Sequence, residues 1–173
     1  MASKGYIHVY TGDGKGKTTA ALGLALRSAG HGMGVFIGQF MKGIRYGELN
    51  ALELIPSIEV AQFGDEVCIR KEEVTDLHRA HAREGLAVIK EVMRRGDHPV
   101  VIMDEICVTL WFEILSLEEV MALVKAKPAG IELILTGRKA PQELIEIADL
   151  VTEMKEIKHY YTQGVLARDG VER

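Results

Sequence analysis

Residues 11–19 read Thr-Gly-Asp-Gly-Lys-Gly-Lys-Thr-Thr, between a short β-prone run at 5–11 and an alanine- and leucine-rich stretch that stops at Gly30. Glycines at 12, 14 and 16 let a backbone turn tightly and aim its N–H groups at an anion. A helix beginning there presents the positive end of its dipole to the same place. Lys17 adds a point charge, and the Thr18 hydroxyl is placed to ligate a divalent cation. The spacing departs from the usual phosphate-loop pattern of glycine, four residues, then Gly-Lys-Ser/Thr. Counting back from Gly16 puts Thr11 in the first glycine position, with Gly12 one residue too close, so the loop is shorter or differently wound. The plain alternative is a glycine-rich strand-to-helix turn with no ligand.

The surroundings favour an anion. Of the 18 glycines in 173 residues, 11 fall within the first 47. The first 50 residues carry six basic side chains (Lys4, Lys15, Lys17, Arg27, Lys42, Arg45) and two acidic ones (Asp13, Glu48), whereas the whole chain has net charge −4. A locally cationic front on an acidic body is the electrostatic signature of an anion site. At 47% hydrophobic and 27% charged residues, the composition is that of a soluble globular protein, and a single domain spanning 1–173 is expected. No apolar run is long enough for a membrane helix, and residues 1–10 lack the apolar core of a signal peptide. Cys68 and Cys107 have no paired spacing, which suits unbridged thiols in a reducing cytoplasm. An isoelectric point near 5.9, with no basic helix, argues against nucleic acid.

Along the chain two periodicities alternate. Strands are expected at 5–11, 33–40, 57–63, 100–103, 130–136 and 149–154. Helices are expected at 16–30, 73–95, 117–127 and from Pro141, with one or two helical turns at 48–55 and an irregular tail from Lys155. Ser116 and Glu119 have the spacing of a capping box. This order argues for a parallel α/β sheet covered on both faces.

Further polar residues fall at strand ends. Val100-Val-Ile-Met-Asp104-Glu105 carries two acids to the carboxyl edge of the sheet, where α/β ligands bind and Mg²⁺ can be held. Thr136-Gly-Arg138 follows another apolar strand, so its guanidinium can reach phosphate oxygens at the same edge; a surface arginine is the alternative. His78 and His81 sit at i, i+3 without an evident third metal ligand. His8 reads as a satisfied sheet histidine, and Trp111-Phe112 as core packing. Neither cysteine has a nucleophile's surroundings.

Together these residues resemble the P-loop ATP:corrinoid adenosyltransferases over nearly the full length. The resemblance rests on Tyr-Thr-Gly-Asp-Gly-Lys-Gly-Lys-Thr-Thr-Ala-Ala (10–21), Gln-Phe-Met-Lys-Gly (39–43) and Asp104-Glu105. It continues through Leu-Thr-Gly-Arg (135–138), Ile-Ala-Asp-Leu-Val-Thr-Glu-Met (147–154) and Ile-Lys-His-Tyr-Tyr-Thr-Gln-Gly-Val-Leu-Ala-Arg-Asp-Gly-Val-Glu (157–172). The compact loop is that family's own variant.

The resemblance implies a three-layer α/β fold, with a mostly parallel sheet, helices on both faces and a P-loop (RecA-like) architecture. It implies transfer of the 5′-deoxyadenosyl group of ATP to Co(I) of a reduced corrinoid, with release of triphosphate. Gly12, Asp13, Gly14, Lys15, Gly16, Lys17, Thr18 and Thr19 are expected to wrap the triphosphate, with Gln39, Lys42 and Arg138 near the nucleotide. Thr18 and Glu105 are expected to hold Mg²⁺, and Lys15, Lys17 and Arg138 to offset charge during the reaction. An external electron donor and a homodimer are also implied, with part of the pocket reached by the partner's N-terminal segment (residues 1–4 here). Many relatives carry Gly-x-Gly-Phe-Thr-Trp after the third strand. This chain has Phe63-Gly-Asp-Glu-Val-Cys-Ile-Arg-Lys71 instead, so either other side chains face the corrinoid or the corrinoid differs, and residues 63–71 are the candidate lid. A small P-loop kinase or NTPase, or a non-catalytic ATP-dependent corrinoid carrier or regulator, are the competing functions.

Overall fold

The computed structural model describes residues 4–172; residues 1–3 of the expected partner-reaching segment lie outside them. Six strands, β1 (Ile7–Thr11), β2 (Val35–Phe40), β3 (Ile58–Phe63), β4 (Val100–Asp104), β5 (Glu132–Thr136) and β6 (Leu150–Glu153), form one sheet in the order β3-β2-β4-β5-β1-β6. Every pairing is parallel, where the sequence suggested a mostly parallel sheet.

Side-chain alternation divides the strands between two layers. Phe36, Phe40, Val101, Met103, Leu133 and Leu135 face one cluster, while Val35, Ile37, Val100, Ile102 and Ile134 face the other. With both faces buried, the strands read as unbroken apolar runs. Ala21 and Ala25 of helix α1 (Lys17–Ala29) and Leu52 of α2 (Gly47–Leu52) pack into the second cluster. The first receives α3 (Asp76–Arg95), α4 (Ile106–Trp111), α5 (Leu117–Lys125) and Leu144 of α6 (Gln142–Ile147). Gly85 lets α3 approach the sheet: a Cβ there would stand 2.8 Å from both the Phe40 and Phe63 rings.

Two expectations about elements change. The long helix starts at Asp76 rather than 73, because the Glu73 carboxylate turns back to accept from Arg70 N–H at 2.7 Å and closes a separate 3₁₀ turn at Lys71–Glu73. Helix α4 was not anticipated. Glu105 adopts a left-handed backbone (φ 62°), which turns the chain from β4 directly into helix; a non-glycine residue seldom does this, so residue type does not announce it. Core packing holds for Phe112 but not for Trp111, which is 44% exposed. The Ser116–Glu119 capping box is present, with Glu119 N–H donating to Ser116 Oγ at 3.2 Å and Ser116 N–H donating to the Glu119 carboxylate at 2.9 Å. No helix among the described residues is long and apolar enough to cross a membrane.

Candidate functional site

The strand order sets β2, β4, β5 and β1 side by side. Their carboxyl ends therefore deliver Lys42, Asp104-Glu105, Thr136-Gly-Arg138 and the phosphate loop to one edge, the usual ligand edge of an α/β sheet. A cavity of about 660 Å³ opens there between Lys15, Thr18 and Thr19 of the loop, Lys42 and Glu105, with residues 170–172 of the C-terminal tail on the far side.

Gly12 and Gly16 have φ of 97° and 116°, which favour glycine. Gly12 and Gly14 meet a second constraint from the chain itself. A Cβ at either would lie 2.4 or 2.7 Å from Met154 O, which accepts a 2.7 Å bond from Gly14 N–H. The compact loop is thus stitched to the end of β6. Gly16 caps α1 without any side-chain bond, leaving the first-turn N–H groups to serve an anion.

Lys17 is buried, its Nζ donating to Gly12 O at 2.8 Å and Gly14 O at 2.7 Å. Burial lowers its pKa and Arg138 adds to that effect, while Glu105, Asp13 and Asp104 oppose it. Arg138 is exposed and does not line the cavity; its charge acts on Lys17 and Glu105 only at a distance. Asp13 is turned away to Lys139 at 3.2 Å.

Asp104 is the organising carboxylate. Its Oδ1 accepts from Thr18 Oγ1 at 2.8 Å and Thr136 Oγ1 at 2.7 Å; its Oδ2 pairs with Lys42 Nζ at 2.8 Å. Thr136 Oγ1 in turn accepts from Glu105 N–H at 3.0 Å. Burial alone would lower the Lys42 pKa, but Asp104, with Glu105 and Glu48, outweighs it and raises the value.

Glu105 has the opposite balance. Burial raises its pKa first, Asp104 next, and Lys42, Lys17 and Arg138 only partly compensate. A carboxyl short of positive charge beside a threonine hydroxyl is a hard-oxygen donor set that suits Mg²⁺. Among the described residues no cluster of three or more His, Cys, Asp or Glu is arranged for a metal, so most of such an ion's ligands would come from phosphates and water.

Gln39 does not line the cavity. It is fully buried behind it, accepting from Gln62 Nε2 at 3.0 Å and donating to Glu48, itself a cavity residue, at 3.5 Å. Sequence reasoning passed over Tyr46, Glu48 and the tail residues Gly170, Val171 and Glu172 as cavity walls. The tail lies close because Lys15 Nζ donates to Val171 O at 2.7 Å. Only the resemblance of the tail pointed there.

A second, smaller cavity of about 170 Å³ adjoins the first, sharing Lys42, Tyr46 and Glu105 with it. Its outer side is formed by Asp65, Val67 and Cys68 of the expected lid, its inner side by Phe40, Met41 and Val108. The expected lid is held to α3 by Asp65, whose carboxylate pairs with His78 Nε2 at 2.8 Å, with His81 Nδ1 3.2 Å away. His81 Nδ1, though near that carboxylate, is buried without a hydrogen-bond partner among the described residues. His8 pairs with Glu132 at 2.6 Å, the structural role its pattern suggested. Burial, with Glu105, pushes the Cys107 thiol up to about 12, which makes it inert.

Comparison with known proteins follows the same lines. The family model described as ATP:corrinoid adenosyltransferase BtuR/CobO/CobP matches residues 3–173. A corrinoid adenosyltransferase of Sinorhizobium sp. is 39% identical over 180 residues, covering 98% of this chain and 80% of that protein. An uncharacterized protein of Nostoc sp. (strain PCC 7120) is 40% identical over 169 residues, covering 90% of this chain, which spans only 45% of that relative's length. Among solved structures, a KaiC-like protein of Pyrococcus horikoshii OT3 superimposes with a TM-score of 0.55 at 18% identity, covering 90% of this chain and 74% of the other. That likeness shows a shared α/β P-loop fold.

Proposed function

The chain belongs to the ATP:corrinoid adenosyltransferase family, and from that premise we propose that it transfers the 5′-deoxyadenosyl group of ATP to Co(I) of a reduced corrinoid. The observation that carries this is the pair of joined cavities: a phosphate-loop cavity sharing Lys42, Tyr46 and Glu105 with a more apolar one beside it. A phosphoryl acceptor would also fit such a pocket, and the family match is what favours a corrinoid there.

Co(I) is itself a strong nucleophile. It attacks C5′, the cobalt–carbon bond forms, the C5′–O bond breaks, and its electron pair departs with triphosphate. The protein has to position C5′ in line and stabilise the charge that develops on the leaving group. Lys17, held inside the loop, and Lys15 at its rim supply fixed positive charge, Arg138 adds to it from a distance, and the first-turn N–H groups of α1 supply donors. The Thr18 hydroxyl and the Glu105 carboxylate would hold a Mg²⁺ ion, which would supply further positive charge for the leaving group. Asp104 keeps Thr18 and Lys42 in place. The apolar side chains Phe40, Met41, Val67 and Val108 shelter the corrinoid's approach from water.

An external donor supplies the electron that produces Co(I), and the enzyme works in the cytoplasm as a homodimer. The outer edge of β6 supports dimerisation, since all four of its residues are exposed and an unpaired edge invites pairing.

The test is to incubate the chain with ATP, Mg²⁺ and chemically reduced cobalamin. A light-sensitive cobalt–carbon product together with intact triphosphate is expected. Release of ADP without that product would make it a kinase or NTPase, and binding of both substrates without product would make it a carrier.

A further inference from the structure

On the other side of the phosphate loop lies a groove of about 310 Å³, formed by Gly14 and Lys15 of the loop and by residues 155–160 of the tail. We propose that this groove is a second polyphosphate subsite, in which Lys155 and Lys158 take the phosphates that extend past the loop; the inference rests on the phosphate reading of the loop itself.

Three observations support it. The first is charge. Lys155 and Lys158 line the groove against one carboxylate, Glu156, in a chain whose net charge is −4, while the Lys15 charge is shared with Glu172. A concave surface lined by one sign of charge concentrates counter-ions. Exposed cations elsewhere mostly have acids beside them: Arg45 pairs with Glu53, Lys71 with Glu113, Arg83 with Glu119 and Arg94 with Glu91. Among the described residues Lys155 and Lys158 have no hydrogen bond or ion pair through their side chains.

The second is placement. The tail is fixed to the loop by its backbone, through Met154 N–H to Thr11 O at 2.8 Å and Gly14 N–H to Met154 O at 2.7 Å. Residue 155 follows directly, so these lysines are carried by the same framework that shapes the loop. His159 Nδ1 accepts from Tyr161 N–H at 3.1 Å, which in the neutral ring puts the proton on Nε2 and leaves one more donor.

The third is continuity. Lys15 lines both the groove and the large cavity, and its ammonium rests on Val171 O at 2.7 Å, with Glu172 3.4 Å away. Lys15 thus joins the groove to the cavity, although its ammonium is engaged on the cavity side. The ligand class is an inorganic or nucleoside polyphosphate, from either of two sources: the tail of bound ATP, or the triphosphate released after transfer.

The test measures binding of sodium triphosphate and, separately, of ATP to the full chain by calorimetry, without corrinoid, so that nothing turns over. K155Q/K158Q is compared with K90Q/K125Q, which removes the same charge from exposed positions on α3 and α5. Thermal melts confirm that both fold. Triphosphate affinity is expected to fall about tenfold or more in K155Q/K158Q, as for the loss of charge-assisted phosphate contacts, with little change in the control. The difference should shrink as salt rises. A matching loss for ATP assigns the groove to the bound nucleotide; a loss for triphosphate alone assigns it to the product. Equal triphosphate affinity in both double variants overturns the subsite while leaving the loop assignment intact. If the unaltered chain binds neither ligand, the phosphate reading of the loop fails and the subsite with it.

Discussion

The Thr18 hydroxyl donates to Asp104 Oδ1 across 2.8 Å, which joins the first turn of α1 to the end of β4 at a single buried carboxylate. Since Lys42 and Thr136 meet the same carboxylate, Asp104 sets the relative positions of three elements at the site.

Asp104→Asn is therefore expected to cost both stability and activity. It removes the Lys42 ion pair and weakens two hydroxyl bonds, a loss of about 1–3 kcal/mol. Urea unfolding measures the first effect and adenosylation the second; an unchanged midpoint would show that Asp104 organises nothing.

For Lys17→Ala the two effects separate. Its ammonium bonds two loop carbonyls, worth about 1.5–3 kcal/mol each, but burying its charge offsets part of that gain, so the fold survives. Turnover is expected to fall by about 10²–10³, as when one preorganised charge-stabilising donor is removed. Normal turnover would take Lys17 out of the phosphate site.

Glu105 predicts a pH dependence. Its folded pKa is raised above the unfolded value, chiefly by burial. The ionised form therefore costs stability at neutral pH; that cost is absent below the unfolded value and grows as pH rises through the raised one. Protonation also releases a metal ligand, so the Mg²⁺ requirement should climb on acidification at a higher pH than the ordinary glutamate value of about 4.3 would give. Glu105→Gln should need more Mg²⁺ at every pH and lose this dependence; a Mg²⁺ titration identical to that of the unaltered chain excludes Glu105 as a ligand.

Gly85→Ala tests the packing of α3. Helix propensity alone favours alanine by about 1 kcal/mol, but the new methyl meets two core aromatic rings at 2.8 Å. Overpacking of about 1–3 kcal/mol should win, giving a lower melting temperature; a higher one would mean that Phe40 and Phe63 give way freely.

The thiols should differ sharply toward a maleimide. Cys68 is exposed and Cys107 buried, so one equivalent reacts with the native chain and a second only on unfolding. Two fast equivalents would contradict the placement of α4 against β5.

Most strands and helices were legible because each layer of a parallel sheet imposes a period. Runs such as Val100-Val-Ile-Met admit little but a doubly buried strand, and Ala21 and Ala25 mark the helix face that lies on it. The loop and its lysines were legible for the same reason, since phosphate chemistry restricts which residues can stand next to one another. The strand end offered Asp104 and Glu105 together as cation ligands, and the resemblance singled out Glu105. That Asp104, one residue earlier, carries Thr18, Thr136 and Lys42 could not be read there, because those partners are 86, 32 and 62 residues away.

By itself, then, the sequence determined the layered α/β class, the phosphate loop and the charges around it, all of which depend on near neighbours in the chain. The tertiary structure decided that Asp104 is the hub, that Gln39 stands behind the cavity, that His78 holds Asp65, and that the tail borders the loop on two sides. These depend on which strands lie side by side and on which carboxylate reaches which donor first. Such long-range pairings are settled by packing and burial across the whole sheet, and no local residue pattern encodes them.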